Sequence, residues 1–147
     1  MELFARNHVL GTVEASAQED VFSALANKAV ELGVAKDAAA IVADYEERER
    51  EATTGFGGGV AIPHSKTDNV SDATLLFARL SQPVEWQALD GAPVSTVISI
   101  LAPTAGADVH LQLLAKLARK LMHADFVEVL KNGTFDEAYA AIQGAIS

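Results

Sequence analysis

His64 closes a segment unlike the rest of the chain: Thr53-Thr54-Gly55-Phe56-Gly57-Gly58-Gly59-Val60-Ala61-Ile62-Pro63-His64. Four of the ten glycines fall within five consecutive positions of it, 55–59. Glycine has no Cβ, so such a run lets the backbone turn sharply and approach another group closely. Val60, Ala61 and Ile62 read as a short buried strand. Pro63 cannot donate to a sheet ladder, so pairing weakens there. His64 then stands at a strand end on rigid backbone, a position suited to a nucleophile. A histidine that merely follows a strand has the same local pattern.

Two further groups can join it. His110 falls in the first turn of a helix expected over 108–123, with Asp108 as its cap. It shares a face with Leu114 and Leu117, and the first-turn amides and helix dipole favour an anion nearby. A half-buried packing histidine at a helix start gives the same signature. The run Tyr45-Glu46-Glu47-Arg48-Glu49-Arg50-Glu51 ends another helix immediately before the glycine segment. That puts Arg48 or Arg50 within reach of His64, although a charge run of this kind also serves as a solvated helix end with i,i+4 pairs.

Two histidines, one or two arginines, a glycine turn and a helix start suit a phosphoryl group. Neutral imidazole is a nucleophile near neutral pH. The arginine fork matches phosphate oxygens, and phosphoryl transfer needs mainly positioning and charge stabilisation. Gly55-Phe56-Gly57-Gly58-Gly59-Val60 lacks the last glycine of a dinucleotide fingerprint, and no Gly-Lys-Ser/Thr ending makes a Walker loop. No acidic cluster is obviously built for magnesium. With no nucleotide site, the phosphoryl donor is expected to be another protein and the histidine a relay. Zinc held by His64, His110 and Asp108 would lack any tight ligand pair such as His-Glu-x-x-His. A Ser-His-Asp hydrolase would need a Gly-x-Ser-x-Gly turn that the chain does not have. A non-catalytic interaction module remains compatible with the residues.

The elements that must position these groups follow from periodicity. Val9 to Val13 reads as an edge strand. Ser16-Ala17-Gln18-Glu19 has the form of a capping box opening a helix to about Leu32, with Val21, Leu25, Ala29 and Leu32 as its apolar stripe and Gly33 closing it. Asp37 caps a second helix over 38–51, with Ala39, Ile41, Val42 and Tyr45 inward. Residues 65–71 read as a loop, 73–80 as a buried strand, and 94–101 as the clearest strand of all, ended by Pro103. Leu114, Leu117, Ala118 and Leu121, flanked by Val109 and Leu113, are the stripe of the third helix. Short helices follow over 126–130, closed by Gly133, and over 135–146. Helices at both ends with strands between predict an α/β fold with a mixed parallel/antiparallel sheet flanked by helices.

Composition sets the outer bounds. At 147 residues and half hydrophobic, the chain is expected to form a single domain, 1–147, with its own core. It has no cysteine, hence no disulfide framework and no thiolate zinc site, which fits a reducing cytoplasm. No apolar run is long enough to span a bilayer, and no signal-peptide pattern opens the chain. A net charge of −9 argues against nucleic acid and permits a partner with a basic face.

Arg48-Glu49 followed by Thr54-Gly55-x-Gly57-x-Gly59-Val60-Ala61-Ile62-Pro63-His64 resembles the signature of enzyme IIA of the bacterial phosphotransferase system, fructose/mannitol type, which includes a nitrogen-regulatory branch. The segment from His110 to Arg119 resembles that family's second histidine segment, and Trp86-x-Ala88-x-Asp90-Gly91-x-Pro93-Val94 a further stretch. Gln87 departs from it, since the family often has glycine there. The resemblance implies a cytoplasmic phosphotransferase relay without cofactor or metal. His64 would accept phosphate from an HPr-type carrier and pass it to an enzyme IIB during sugar uptake. Arg48, rather than Arg50, would match the active-site arginine, and His110 the second histidine. The alternative it implies is a nitrogen-type regulatory phosphoprotein that binds targets according to its phosphorylation state.

Overall fold

The computed structural model describes residues 2–147. Its sheet is built around two long strands, β5 (Thr74–Val84) and β6 (Val94–Ala102), paired antiparallel. The edge strand β1 (Val9–Val13) runs parallel to β5. On the other side of β6 lie β3 (Val60–Ala61) and β4 (His64–Lys66), both parallel to it, and β2 (Gly55–Gly57) pairs antiparallel with β3. The spatial order is β1-β5-β6-β3-β2, with β4 also on β6. The sheet is therefore mixed, as its sequence pattern predicts.

Alternation along β5 and β6 sends side chains to two separate cores. Leu76, Leu80, Val97 and Leu101 meet α1 (Gln18–Glu31) and α2 (Ala38–Glu51) on one face. Leu75, Phe77, Ile98 and Ile100 meet α3 (Ala107–Leu121), α4 (Ala124–Asn132) and α5 (Phe135–Ile146) on the other. Ile41 and Tyr45 dock α2. The Tyr45 ring stacks on Phe22 at 5.0 Å, and its hydroxyl shares a 2.6 Å hydrogen bond with Ser99 on β6. A buried hydroxyl pair of this kind satisfies two polar groups that would otherwise be costly.

Several expected local details differ. Helix α1 starts one residue later than the Ser16 box implies. The carboxylate of Asp20 accepts from the Ser16 and Ala17 amides (3.0 and 3.2 Å) and from the Ser16 hydroxyl, so Asp20, not Glu19, ties down the entry. Asp37 caps α2 as expected, through the Ala39 and Ala40 amides. Ala39 itself is exposed, because α2 rests on the sheet only along the Ile41–Tyr45 line. Asp108 is not the cap of α3. A 3₁₀ turn, Thr104–Gly106, leads directly into the helix, and Gly106 occupies the cap position without a side-chain bond. Ser65 and Lys66 are strand rather than loop, since β6 extends far enough to pair them (Ser65 with Leu101, Lys66 with Ala102).

Gly55 is required by close packing. A Cβ there would sit 2.7 Å from both Cα and Cβ of Ala88, in the stretch after β5. The turn from β2 to β3 needs positive φ, and Gly58 at +65° donates its amide to the Asp90 carboxylate at 3.0 Å. Gly55→Ala is expected to destabilise the fold by about 1–3 kcal/mol, as overpacking does. Gly144 lies in α5 with open space around it, so Gly144→Ala is expected to stabilise by roughly 0.5–1 kcal/mol. Urea denaturation of both variants checks the pair.

Candidate functional site

Strand β6 brings both histidines to one place. His64 pairs beside Ile100, and the chain leaves β6 at Ala102, turns once and enters α3, whose first turn holds His110. The two imidazole centroids lie 5.1 Å apart at 53°. Helix α2 runs alongside, and Arg48, one turn after the anchored Tyr45, reaches across to them. Arg48 Nε donates to His64 Nε2 at 3.1 Å. A second guanidinium nitrogen donates to the Ala52 carbonyl at 2.9 Å, holding the fork at the helix end. His64 Nδ1 is 2.7 Å from the Ile62 carbonyl. A carbonyl can only accept, so the proton is on Nδ1. Nε2 then carries the lone pair, consistent with its accepting from Arg48.

These groups open onto a cavity of about 420 Å³ between α2, β4 and α3. Asp44, Glu47, Arg48 and Glu51 line one wall, Ser65 and Lys66 the floor beside His64, and Leu111 and Leu114 the third side beside His110. His64, Arg48 and His110, singled out from the sequence, are thus together. Arg50 is exposed and faces away from the cavity, and so does Asp108, the residue weighed as a zinc ligand. Asp44, Glu47, Glu51, Ser65, Lys66, Leu111 and Leu114 were not legible as site residues. The α2 set did carry a signal, because 44, 47, 48 and 51 share one helical face.

Electrostatics keep both imidazoles neutral. Burial lowers the His64 pKa below its ordinary value. The Ile62 carbonyl opposes this, the Arg48 guanidinium adds to it, Glu51 opposes and Lys66 adds. His110 is 3% exposed, and neither of its ring nitrogens has a hydrogen-bond partner. Burial first, then His64, Lys66 and Arg48, push its pKa down to about 4. Buried polar groups are ordinarily paired, so a doubly unpaired imidazole facing a cavity is suited to a ligand that brings acceptors. The arrangement offers a neutral nucleophile, a guanidinium beside its lone pair and an idle N–H donor, a set that suits transfer of an anionic group.

Two facing imidazoles and a guanidinium at the end of a two-faced mixed sheet define a class of protein with known members. The profile of the family "Phosphoenolpyruvate-dependent sugar phosphotransferase system, EIIA 2" matches residues 2–145, and the chain belongs to that family. It is 43% identical over 115 residues to the fructose-specific EIIA component of the phosphotransferase system of Haloferax volcanii, covering 78% of this chain and 75% of that one. The crystal structure of the nitrogen regulatory protein IIA-Ntr of Neisseria meningitidis superposes with a TM-score of 0.86 at 30% identity, covering 95% and 96% of the two chains. Enzyme IIAMTL of Escherichia coli, solved in complex with phosphorylated enzyme IIBMTL, shares the fold with a TM-score of 0.77 at 20% identity, covering 97% and 99%.

The His110 environment has a consequence for stability. Its folded pKa lies near 4 and its ordinary value is 6.5, so between these values the unfolded chain binds a proton that the folded chain refuses. Stability is therefore expected to fall as pH drops from about 6.5 towards 4, with no contribution from this group above 6.5. His110→Gln is expected to flatten that part of the profile, as read by denaturation midpoints across the window.

Proposed function

We propose that the protein is a phosphocarrier that accepts a phosphoryl group on His64 Nε2 from a phosphohistidine of an HPr-type carrier and passes it to an enzyme IIB. The observation that carries this is the pair of hydrogen bonds fixing His64, with Nδ1–H on the Ile62 carbonyl and Nε2 towards Arg48 and the cavity. In transfer, the Nε2 lone pair forms the new N–P bond as the N–P bond of the donor breaks, and the donor imidazole leaves with that electron pair. The His64 ring gains positive charge, which the Ile62 carbonyl stabilises through Nδ1–H. Arg48 Nε must give up Nε2 as phosphorus arrives, and its guanidinium turns to the phosphoryl oxygens, where a fork of donors fits. His110, neutral and unpaired, supplies an N–H to the same oxygens and holds the group in line. The carboxylates of Asp44, Glu47 and Glu51 would repel a free anion and suit the basic face of a protein donor.

The enzyme IIB acceptor is supported by the family and by the complex that the related enzyme IIAMTL forms. A cytoplasmic location agrees with the absence of cysteine, and no helix among the described residues is long and apolar enough to cross a membrane. The likeness to a nitrogen regulatory protein supports a second reading, in which phosphorylated and unphosphorylated forms bind different targets. The two separate on one assay: a sugar-system protein donates to an enzyme IIB, and a purely regulatory one does not.

Incubation with phosphoenolpyruvate and the general phosphotransferase components is expected to label the protein at His64 alone, with the acid lability and alkali stability of a phosphoramidate. His64→Ala should take up no label, and equal labelling of that variant would overturn the assignment. Arg48→Ala is expected to slow transfer on the order of 10²-fold, the loss of one well-placed charge donor. Arg48→Lys should recover only part of this because a point charge does not reproduce the fork, and Arg50→Lys should leave the rate unchanged. Quench-flow measurement of label transfer in both directions reads these rates.

A further inference from the structure

Glu49 follows Arg48 on α2 but points away from the cavity, towards the start of the glycine segment. Both of its carboxylate oxygens are engaged by one residue. Oε2 accepts the Thr54 amide at 2.7 Å, and Oε1 accepts the Thr54 hydroxyl. The indole Nε1 of Trp86 lies 3.1 Å from the same hydroxyl. Indole is a donor only, so the polarity of the chain is determined: Trp86 donates to Thr54, Thr54 donates to Glu49, and Glu49 accepts at both oxygens. Thr54 and Trp86 are buried, at 7% and 2% exposure, so these bonds are made away from bulk water, where polar partners matter most.

The chain continues through backbone to the nucleophile. The Thr54 carbonyl accepts the Ile62 amide at 2.9 Å, and the carbonyl of Ile62 accepts Nδ1–H of His64 at 2.7 Å. The two bonds use the amide and the carbonyl on either side of the Ile62 Cα, so the placement of Ile62 depends on where Thr54 is held. The residue that holds Thr54 sits one position after the arginine that faces His64 Nε2. We propose that Glu49 and Thr54 are positioning residues for phosphoryl transfer, a hydrogen-bonded brace from Trp86 to Glu49 that sets both the tautomer of His64 and the register of Arg48 against it. The proposal rests on His64 as acceptor for its kinetic consequence, whereas its structural consequence concerns the imidazole alone.

The brace is specific about chemistry, which makes it testable. A glutamine at 49 has the shape of glutamate, but with its carbonyl on the Thr54 amide its NH₂ can only donate to the Thr54 hydroxyl, which reverses that bond and takes the carboxylate acceptor away from the hydroxyl proton. Valine at 54 keeps the volume and removes the hydroxyl, leaving the Trp86 N–H without its acceptor. Serine at 54 keeps every bond. Two measurements are made on Glu49→Gln, Thr54→Val and Thr54→Ser: the ¹⁵N chemical shifts of the His64 ring, which report the tautomer without any phosphoryl donor, and kcat and KM for acceptance from the phosphorylated carrier.

Glu49→Gln and Thr54→Val are expected to populate the tautomer with the proton on Nε2, which cannot attack. They should lower kcat on the order of tenfold or more, as small misplacements do, with KM for the carrier unchanged. Thr54→Ser should restore both readouts. Wild-type tautomer and kcat in the first two variants, whatever their melting temperatures, would reduce the brace to a fold staple and overturn the proposal. If Glu49→Gln does not fold, Thr54→Val against Thr54→Ser decides the same question. A shifted tautomer in a protein that is not labelled at His64 would uphold the brace and instead refute His64 as acceptor.

Discussion

A two-residue interruption in a sheet ladder governs the site. β3 ends at Ala61 and β4 begins at His64, both paired with β6 in one register, and between them Ile62 and Pro63 interrupt the ladder. Proline has no N–H to offer the ladder, although its carbonyl still accepts from Ile100 at 3.1 Å. The carbonyl of Ile62 is left for a side chain, and the imidazole two residues on takes it. In a continuous strand that carbonyl could have been spent on the neighbouring strand and the histidine tautomer left open. His64 resumes the pairing with β6 just past this break, where Arg48 of α2 and His110 of the first turn of α3 both meet it.

The site then depends on keeping cations close to neutral imidazoles. Arg48 and Lys66 disfavour a proton on either ring, and burial does more than either. A histidine already protonated has no lone pair to give, so these effects keep the lone pair of each imidazole available near neutral pH. They also leave His110 as a buried donor with nothing to bond in the resting protein, a cost the fold carries and an incoming anion can relieve. Arg48 fills the lone pair of His64 until then.

Much of this was legible in residue order. The stripe of α1, the Asp37 cap, the strand at 94–101 and the mixed sheet all follow from local propensity and period. The glycine segment, His64, Arg48 and His110 carry a family likeness, and the geometry brings those three side chains together. The errors share a cause. Ser16 and Asp108 have the right type for a cap, yet the cap depends on where the chain enters, set by Asp20 in one case and by a 3₁₀ turn in the other. Ser65 and Lys66 look polar and loop-like because only their pairing with β6 makes them strand.

By itself, the sequence determined which chemistry was available: an imidazole on rigid backbone, a guanidinium at a helix end, a second imidazole in a first turn, and no motif for nucleotide or thiolate-bound metal. These are properties of residue type and short-range spacing, which local sterics and hydrogen bonding control. Tertiary structure decided which arginine faces the histidine, which ring nitrogen holds the proton and why the second imidazole stays neutral. It also decided that Glu49, Thr54 and Trp86, up to 37 positions apart, form one chain of hydrogen bonds. Each of those outcomes depends on distances between elements remote in sequence, and such distances are set only when both faces of the sheet are packed.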